Sequence, residues 1–199
     1  MLSWLIESDK MLFELINGHW QSSWLDLLMP FWRDKKNWIP LYIIIAIILF
    51  WKYKLKAFPF LILVAIVVLL GDQLSSEWIK KSVMRIRPCN DSGLQVRLPS
   101  FLPCGSGYSF TSSHATNHFA LAYLFIQFLL PLIPKAKVFY RIGLTLAFVL
   151  WATLVAYAQV YVGVHYPLDV FCGALLGVTI AALSYFIFQK IMKSWSFDS

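Results

Sequence analysis

The sequence has little charge. Only 14% of its 199 residues are Asp, Glu, Lys or Arg, whereas 59% are hydrophobic and 17% are aromatic. A soluble domain of this length carries far more charge on its surface, so this composition argues against one. The opening stretch, MLSWLIESDK, is amphipathic and acidic and does not resemble a cleavable signal peptide. Because linkers, repeats and low-complexity tracts are also missing, we expect residues 1–199 to form a single integral membrane domain.

The few charges are unevenly distributed. The formal net charge is +7 and the calculated pI is about 9.4, which by itself is compatible with a nucleic-acid partner. The basic residues, however, lie in short clusters between apolar runs, as they do in membrane proteins. We therefore expect a lipid bilayer as the partner and no nucleic acid.

Five segments are apolar and long enough to be membrane spans. A span needs about 20 residues, or somewhat fewer when polar side chains at its ends snorkel to the membrane surface. They cover residues 38–53, 57–79, 115–133, 138–158 and 166–188. The fold class expected from them is all-α, a polytopic transmembrane helical bundle.

Two regions fall outside these spans. Residues 1–37 form an amphipathic N-terminal region, in which residues 1–32 carry four acids and alternate at helical spacing. Such a stretch predicts an interfacial or packed pair of helices rather than a span. Residues 80–113 are rich in Gly, Pro, Ser and Arg and are expected to form a polar loop.

The distribution of basic residues bears on the orientation in the membrane. The face opposite the loop holds eight of them: Lys52, Lys54, Lys56, Lys135, Lys137, Arg141, Lys190 and Lys193. The loop face holds nine, so the positive-inside rule alone is undecided, but five of those nine lie in the loop itself. We therefore expect a multi-pass protein of the cell (inner) membrane whose loop faces the periplasm or exterior.

Three short motifs are expected to meet on that outer face. The first is KKSVMRIRP, in which Lys80 precedes Arg87 and Pro88. Lysine and arginine are the usual ligands of phosphate groups. Contact with lipid headgroups at a helix end is the alternative for this stretch taken alone.

The second motif is YSFTSSHATNHF. Ser112 and Ser113 precede His114 at the expected start of a helix, where hydroxyls and free N–H groups favour an anion. The alternative is ordinary capping by Thr111, Ser112 or Ser113, with His114 as an interfacial polar residue, and capping is compatible with anion binding. For His118, one turn further on, a hydrogen-bonded histidine inside the bundle is the expected role.

The third motif is YVGVHYPLDV. Pro167 suits the first turn of a helix, so His165 precedes that helix and Asp169 lies one turn inside it. A carboxylate beside one ring nitrogen fixes the tautomer and leaves the other nitrogen as a nucleophile or base. A hydrogen-bonded polar pair that only joins helices is the alternative.

A zinc site is the competing interpretation of the same residues. The candidate ligands are His114, His118, His165 and Asp169. Against zinc, the cations Lys80, Arg85 and Arg87 would share the pocket and repel a metal ion. They favour an anion, so no metal or other cofactor is expected.

Taken together, the three motifs resemble the three-part signature of the type 2 phosphatidic acid phosphatase family. The N-terminal stretch DKMLFELINGHWQSSWLDLLM also resembles the start of bacterial members, so the resemblance covers nearly the whole chain. It implies metal-independent hydrolysis of a lipid phosphate or pyrophosphate.

The resemblance also implies a role for each matching residue. His165 would attack phosphorus and form a phosphohistidine, Asp169 would orient it, and His114 would protonate the leaving oxygen. The phosphoryl oxygens would be held by Lys80, Arg87, Ser112 and Ser113.

Two departures from the family pattern stand out. Thr111-Ser112-Ser113-His114 replaces the usual Pro-Ser-Gly-His, which is a mild change. Ala158 and Gln159 replace the usual Ser-Arg, so a phosphate-binding arginine is missing. Gln159 can still donate a hydrogen bond to phosphate, and the loop arginines Arg85 and Arg97 are candidates to restore the charge.

Several points remain open on the sequence alone. Undecaprenyl pyrophosphate is the favoured substrate by family analogy and chain size, with phosphatidylglycerol phosphate, phosphatidic acid and a lipid A phosphate as alternatives. A non-catalytic lipid-phosphate binder or transporter of the same fold and a zinc-dependent membrane hydrolase are the rival functions. Cys89 and Cys104 flank part of the loop and would form a disulfide in an oxidising compartment.

Overall fold

The structure, a computed structural model, describes the backbone of residues 2–192 and the side chains of residues 4–192. Lys193, which is predicted on the face opposite the loop, lies outside the described residues. Every regular element in the described range is helical. The α-helices are α1 (Leu2–Glu14), α2 (Ser23–Arg33), α3 (Ile39–Tyr53), α4 (Phe58–Asp72), α5 (Lys80–Val83), α6 (Ser113–Leu129), α7 (Val138–Tyr161) and α8 (Pro167–Ile191).

Shorter helical segments join several of these helices. Single turns of 3₁₀-helix occur at Lys35–Trp38, Lys54–Ala57, Pro88–Asn90 and Leu130–Leu132, and π-helical segments occur at Leu15–His19 and Gln73–Ile79. The second π-helical segment makes α4 and α5 one continuous helix, which ends at Val83. The polar loop therefore begins four residues later than the sequence predicted, because Lys80–Val83 complete the helix.

Four helical stretches are long and apolar enough to cross a membrane: residues 35–90, Ser113–Leu132, Val138–Tyr161 and Pro167–Ile191. The first contains both α3 and α4, which reverse direction at Lys54, a residue with φ of 50°. The polytopic helical bundle predicted from the sequence is confirmed.

The bundle is centred on the close packing of α6 against α8. Gly173 and Gly177 allow it, since a Cβ on Gly173 would lie 2.6 Å from the Ser112 carbonyl oxygen and one on Gly177 would overlap the Thr116 carbonyl. Small residues let helix backbones approach closely in membranes. The amide of Ser112 donates to the Asp169 carbonyl over 3.0 Å, so the first turns of α6 and α8 lie side by side.

The N-terminal helices pack onto this bundle. Phe13, Ile16 and Met29 form a buried cluster with Tyr161 and Tyr166 at the α7–α8 turn. Asn17, in the π-helical segment after α1, donates to the carbonyls of Tyr161 and Arg97 over 2.7 and 2.9 Å. Of the two arrangements predicted for residues 1–32, these contacts describe a packed pair of helices.

The loop between α5 and α6 has little regular structure but is held at several points. A disulfide joins Cys89 and Cys104. The amide of Ser109 donates to the Arg85 carbonyl over 2.8 Å. These contacts bring both ends of the loop to the N-terminal ends of α6 and α8.

Candidate active site

His165 and Asp169 lie at the start of α8. Pro167 is the first residue of the helix, and Asp169 in its first turn is fully buried. Asp169 Oδ2 accepts a hydrogen bond from the Tyr166 amide at 2.8 Å and lies 3.5 Å from His165 Nδ1. At 3.5 Å the two side chains are close without forming a hydrogen bond, since His165 Nδ1 has no hydrogen-bond partner. A carboxylate at this position favours the tautomer with the proton on Nδ1, which leaves a lone pair on Nε2.

Arg87 faces that lone pair. Its Nη1 lies 3.3 Å from His165 Nε2 and donates to the Val164 carbonyl over 3.1 Å. A guanidinium beside the nucleophilic nitrogen is well placed to bind oxygens of a phosphorus atom under attack. Sequence and structure agree in placing Arg87 next to His165.

The buried position of His165 determines its charge. Its ring is 2% exposed, and this burial lowers the pKa of His165 to about 4, although the nearby Asp169 opposes the shift. A neutral imidazole at physiological pH is ready to act as a nucleophile without first losing a proton.

Lys80 and Ser113 contact each other near His165. Lys80 Nζ donates to Ser113 Oγ over 3.1 Å, and Ser75 and Ser76 lie 2.9 and 2.8 Å from the same oxygen. Both serines belong to the π-helical segment Gln73–Ile79, a type of helix defect that is frequent at functional sites. Sequence analysis did not single them out.

Ser112 acts as the N-cap of α6. It is fully buried, and its Oγ accepts a hydrogen bond from the Ala115 amide over 3.4 Å. The capping role considered from the sequence is therefore the one its hydroxyl plays in this structure. Ser113 and His114 follow in the first turn of the helix.

His114 lies where two cavities adjoin. One cavity, of about 780 Å³, is mainly apolar and lies between α3, α4 and α6; its lining includes Ile45, Leu49, Val64, Leu121 and Phe125. The other, of about 510 Å³, is more polar and is lined by residues that include Arg33, Asp34, Asn37 and Leu102. His114 lines both cavities. His118 Nδ1 lies 2.8 Å from the His114 carbonyl, a contact that fits the hydrogen-bonded role expected of it.

Arg85 bridges two carboxylates instead of replacing the missing arginine. Its guanidinium binds Asp169 at 2.8 Å and Asp9 of α1 at 2.6 Å, and it stacks 3.9 Å from the centre of the Tyr166 ring. Asp9 also accepts from the Leu168 amide over 2.8 Å. Burial raises the pKa of Asp9, although its hydrogen bond with Arg85 lowers it.

Sequence reasoning missed Asp9, although a signal was present. Asp9 lies four residues before Phe13 and seven before Ile16, which follows α1 in the π-helical segment, so helical spacing predicts that the three share one face; all are buried. An acid on the apolar face of an amphipathic helix indicates a buried partner.

Arg97 was the other candidate to restore the charge. Its guanidinium binds Asp26 at 2.7 Å and also Gln21, and the side chain is about half exposed. The structure thus commits it to the N-terminal helices, because its backbone is held there by Asn17.

The residue that does reach Gln159 is Arg33. Gln159 is fully buried on α7, and its Oε1 accepts a hydrogen bond from Arg33 Nε over 3.3 Å. Arg33 is the last residue of α2. Nothing in the sequence signalled this contact, since the two residues are 126 positions apart.

Across residues 2–192, no three His, Cys, Asp or Glu side chains come together as ligands of one ion. Besides Asp169, the charged groups near His165 are the cations Arg87 and Lys80.

Comparisons with known proteins agree with this geometry. The family model described as the PAP2 superfamily matches residues 59–193. Two curated relatives are lipid A 4'-phosphatases. That of Bacteroides thetaiotaomicron is 31% identical over 100% of this chain and 85% of the relative. That of Porphyromonas gingivalis is 27% identical over 98% of this chain and 78% of the relative. An undecaprenyl-diphosphatase from Sulfolobus acidocaldarius is 64% identical, but over only 33 residues, or 17% of this chain and 16% of the relative.

Two solved structures are also similar. Aquifex aeolicus LpxE superposes with a TM-score of 0.63 at 27% identity, covering 88% of this chain and 93% of that one. A PAP2-type phosphatidylglycerolphosphate phosphatase from Bacillus subtilis superposes with a TM-score of 0.72 at 23% identity, covering 94% and 88%, and supports the fold alone.

Proposed function

The chain belongs to the PAP2 superfamily, and from this premise we propose that it removes a phosphate from an acylated, phosphorylated sugar such as lipid A through a phosphohistidine on His165. That it is a membrane lipid phosphatase is the coarser statement, and the relatives support it directly. The substrate, the covalent step and the roles of single residues are the proposal.

The choice of lipid A corrects the preference drawn from the sequence. Undecaprenyl pyrophosphate was favoured by analogy and chain size, but its support is one local match of 33 residues. The two relatives named lipid A 4'-phosphatase match essentially the whole chain. We therefore keep undecaprenyl pyrophosphate as the second candidate.

The two cavities beside His114 are the observation that carries the proposal. A phosphorylated glycolipid has both acyl chains and a polar sugar attached to the oxygen that leaves the phosphorus. The apolar cavity between α3, α4 and α6 suits the chains, and the more polar cavity beside Arg33 and Asn37 suits the sugar. An undecaprenyl chain has no sugar to occupy the second cavity.

The proposed first step transfers the phosphoryl group to the enzyme. The Nε2 lone pair of His165 forms a bond to phosphorus while the bond from phosphorus to the sugar oxygen breaks. The negative charge of the bound phosphate favours the protonated form of His114, and His114 gives its proton to that oxygen, which leaves as a hydroxyl. Lys80 and Arg87 stabilise the negative charge on the remaining oxygens, and positioning and charge stabilisation are what phosphoryl transfer chiefly requires.

The second step returns the enzyme to its starting state. His114, now neutral, accepts a proton from a water molecule as the water oxygen attacks phosphorus. The bond between phosphorus and Nε2 breaks, inorganic phosphate leaves, and His165 regains its lone pair. Asp169 stabilises the positive charge that His165 carries while it is phosphorylated.

The test is phosphate release by the purified protein from a panel of lipids. The panel contains lipid A, phosphatidylglycerol phosphate, phosphatidic acid and undecaprenyl pyrophosphate, each with and without EDTA. We expect lipid A to have the highest kcat/KM and EDTA to have no effect. In His165→Ala we expect turnover to fall by about a thousandfold or more, whereas the matched variant His19→Ala, at an exposed histidine, should keep full turnover.

Each rival function predicts a different result. Loss of turnover with EDTA would favour the zinc hydrolase, and binding of lipids without turnover would favour the binder or transporter. A higher kcat/KM for undecaprenyl pyrophosphate would restore the second candidate. Full turnover in His165→Ala would contradict the phosphohistidine mechanism.

A further inference from the structure

We propose that Arg33, at the end of α2, is the phosphate-binding arginine that this chain has in place of the one missing at position 159. The proposal rests on the proposed phosphatase function and adds to it a residue of the N-terminal region. That region lies outside the residues that match the family model, 59–193.

Position 159 lies directly beside the nucleophile. The Gln159 carbonyl accepts hydrogen bonds from the amides of Val164 and His165 over 3.1 and 3.3 Å, so the turn from α7 to α8 folds back onto this residue. An arginine at position 159 would therefore have its side chain anchored beside the turn that carries His165. In this chain, the guanidinium bound to the Gln159 side chain comes from Arg33 instead.

The charges around Arg33 support an anion as its ligand. Burial lowers the pKa of Arg33, and the positive charge of Arg87 lowers it further. Arg87 lies 3.3 Å from His165 Nε2, and two neighbouring guanidinium groups that repel each other are stabilised when an anion lies between them. Arg33 also lines the more polar cavity together with His114, so this residue borders space that a substrate can enter.

Gln159 orients Arg33 in this arrangement. Its Oε1 binds only the Nε of the guanidinium, and in the described structure neither terminal nitrogen of Arg33 donates a hydrogen bond. Those two nitrogens form the fork that binds two oxygens of a phosphate. The Gln159 Nε2 atom, which is buried without a hydrogen-bond partner, adds a neutral donor next to them.

Arg33→Ala and Arg33→Lys test the proposal through kcat/KM for phosphate release and the inhibition constant of inorganic phosphate. A charge-assisted hydrogen bond contributes about 1.5–3 kcal/mol, so Arg33→Ala should lower kcat/KM by about ten- to a hundredfold or more. It should raise the phosphate inhibition constant by a similar factor. Arg33→Lys keeps the charge without the fork and should fall between.

Lys81→Ala is the matched control. Lys81 lies next to Lys80 but is exposed and paired with Glu77, so its loss removes one positive charge from the same face without touching phosphate. We expect its kcat/KM to match that of the wild type.

A charge swap separates binding from folding. Gln159→Arg alone places two guanidinium groups together and should not raise the rate. The double variant Arg33→Gln with Gln159→Arg restores the family arrangement and should recover most of the loss seen in Arg33→Ala. If Arg33→Ala does not fold, the folded double variant decides: turnover near wild type supports the proposal, and its absence overturns it.

Failure of the inference can be told apart from failure of the proposed function. Wild-type turnover with undiminished kcat/KM in Arg33→Ala would overturn the role of Arg33 and leave the phosphatase intact. If the wild type releases no phosphate from any lipid, the rise in melting temperature produced by inorganic phosphate still tests the site. That rise should be smaller in Arg33→Ala than in Lys81→Ala, and equal rises would overturn the proposal.

Discussion

The proposed catalytic role of His165 depends on its burial and on the charged residues beside its two ring nitrogens. The ring is almost completely buried, yet its two nitrogens face opposite charges, with Asp169 at Nδ1 and Arg87 at Nε2. Burial disfavours the imidazolium before phosphorylation, and Asp169 favours the positive charge that appears once phosphorus is attached. The same environment therefore suits both the neutral nucleophile and the charged intermediate of the proposed mechanism.

This environment predicts how His165 titrates. Its pKa is lowered to about 4 by burial, so the neutral, nucleophilic form predominates above that pH and is lost as pH falls through it. Protonation of His165 should therefore produce no loss of kcat/KM between about pH 5 and 8. NMR titration of protein labelled at the histidine rings measures this directly, with His165→Gln to assign the signal. A midpoint above pH 6 would contradict the burial argument.

Residues in short motifs could be predicted from the sequence, and residues joined by distant contacts could not. His165 and Asp169 are one helical turn apart, so their proximity follows from local structure. Asp9 and Arg33 reach the site from α1 and α2, 160 and 126 positions away from Asp169 and Gln159 along the chain. Only the packing of the N-terminal helices, which periodicity does not specify, brings them there.

At the scale of elements, α1 holds the first turn of α8 and the polar loop together. Asp9 binds Arg85 and the Leu168 amide, while Lys10 binds Asp91, which accepts from the Tyr166 hydroxyl over 3.0 Å. Two adjacent residues of one helix thus contact both segments that bear the charged groups of the site. Arg85 transmits this contact to Asp169, so α1 is expected to affect the orientation of His165.

Asp9→Asn tests this role of α1. The amide oxygen can still accept from Leu168, but the ion pair to Arg85 is lost, which frees Arg85 to bind Asp169 differently. We expect kcat to fall by about tenfold, the equivalent of roughly 1.4 kcal/mol, with KM little changed, since Asp9 orients the nucleophile and does not touch the substrate.

Glu7→Gln makes the same chemical change on the exposed face of α1 and should leave both constants unchanged. Because Asp9 would act through Arg85 and Asp169, Arg85→Lys combined with Asp9→Asn should cost little more than Arg85→Lys alone. Fully additive losses in the double variant would count against a shared path.

For the whole molecule, hydropathy and caps predicted the helices to within a few residues, and the differences have local causes. The predicted third span begins at residue 115, but Ser112 caps α6 and the helix begins at Ser113. The predicted fourth span ends at residue 158, whereas α7 continues to Tyr161. The turn comes later because it is made at Gly163, which has a φ of 86°. Hydropathy does not report the two π-helical segments that follow α1 and α4.

The orientation of the whole molecule in the membrane follows from the alternation of its helices. The site lies at the N-terminal ends of α6 and α8, and the segments around Lys54–Ala57 and residues 133–137 lie at the other ends of the spans. Lysines dominate those segments, and lysines are enriched on the cytoplasmic side. The disulfide between Cys89 and Cys104 lies on the site face, where an oxidising compartment favours it. Both features predict a site that faces the exterior or periplasm.

Cysteine labelling in spheroplasts measures this orientation. Single cysteines are introduced as Ser92→Cys in the polar loop and Lys135→Cys between α6 and α7, both at exposed positions, with Cys172→Ser removing the free native thiol. A membrane-impermeant maleimide should label the Ser92→Cys variant in intact spheroplasts and the Lys135→Cys variant only after lysis. The reverse pattern would place the site in the cytoplasm, where its substrate would have to be a lipid of the inner leaflet.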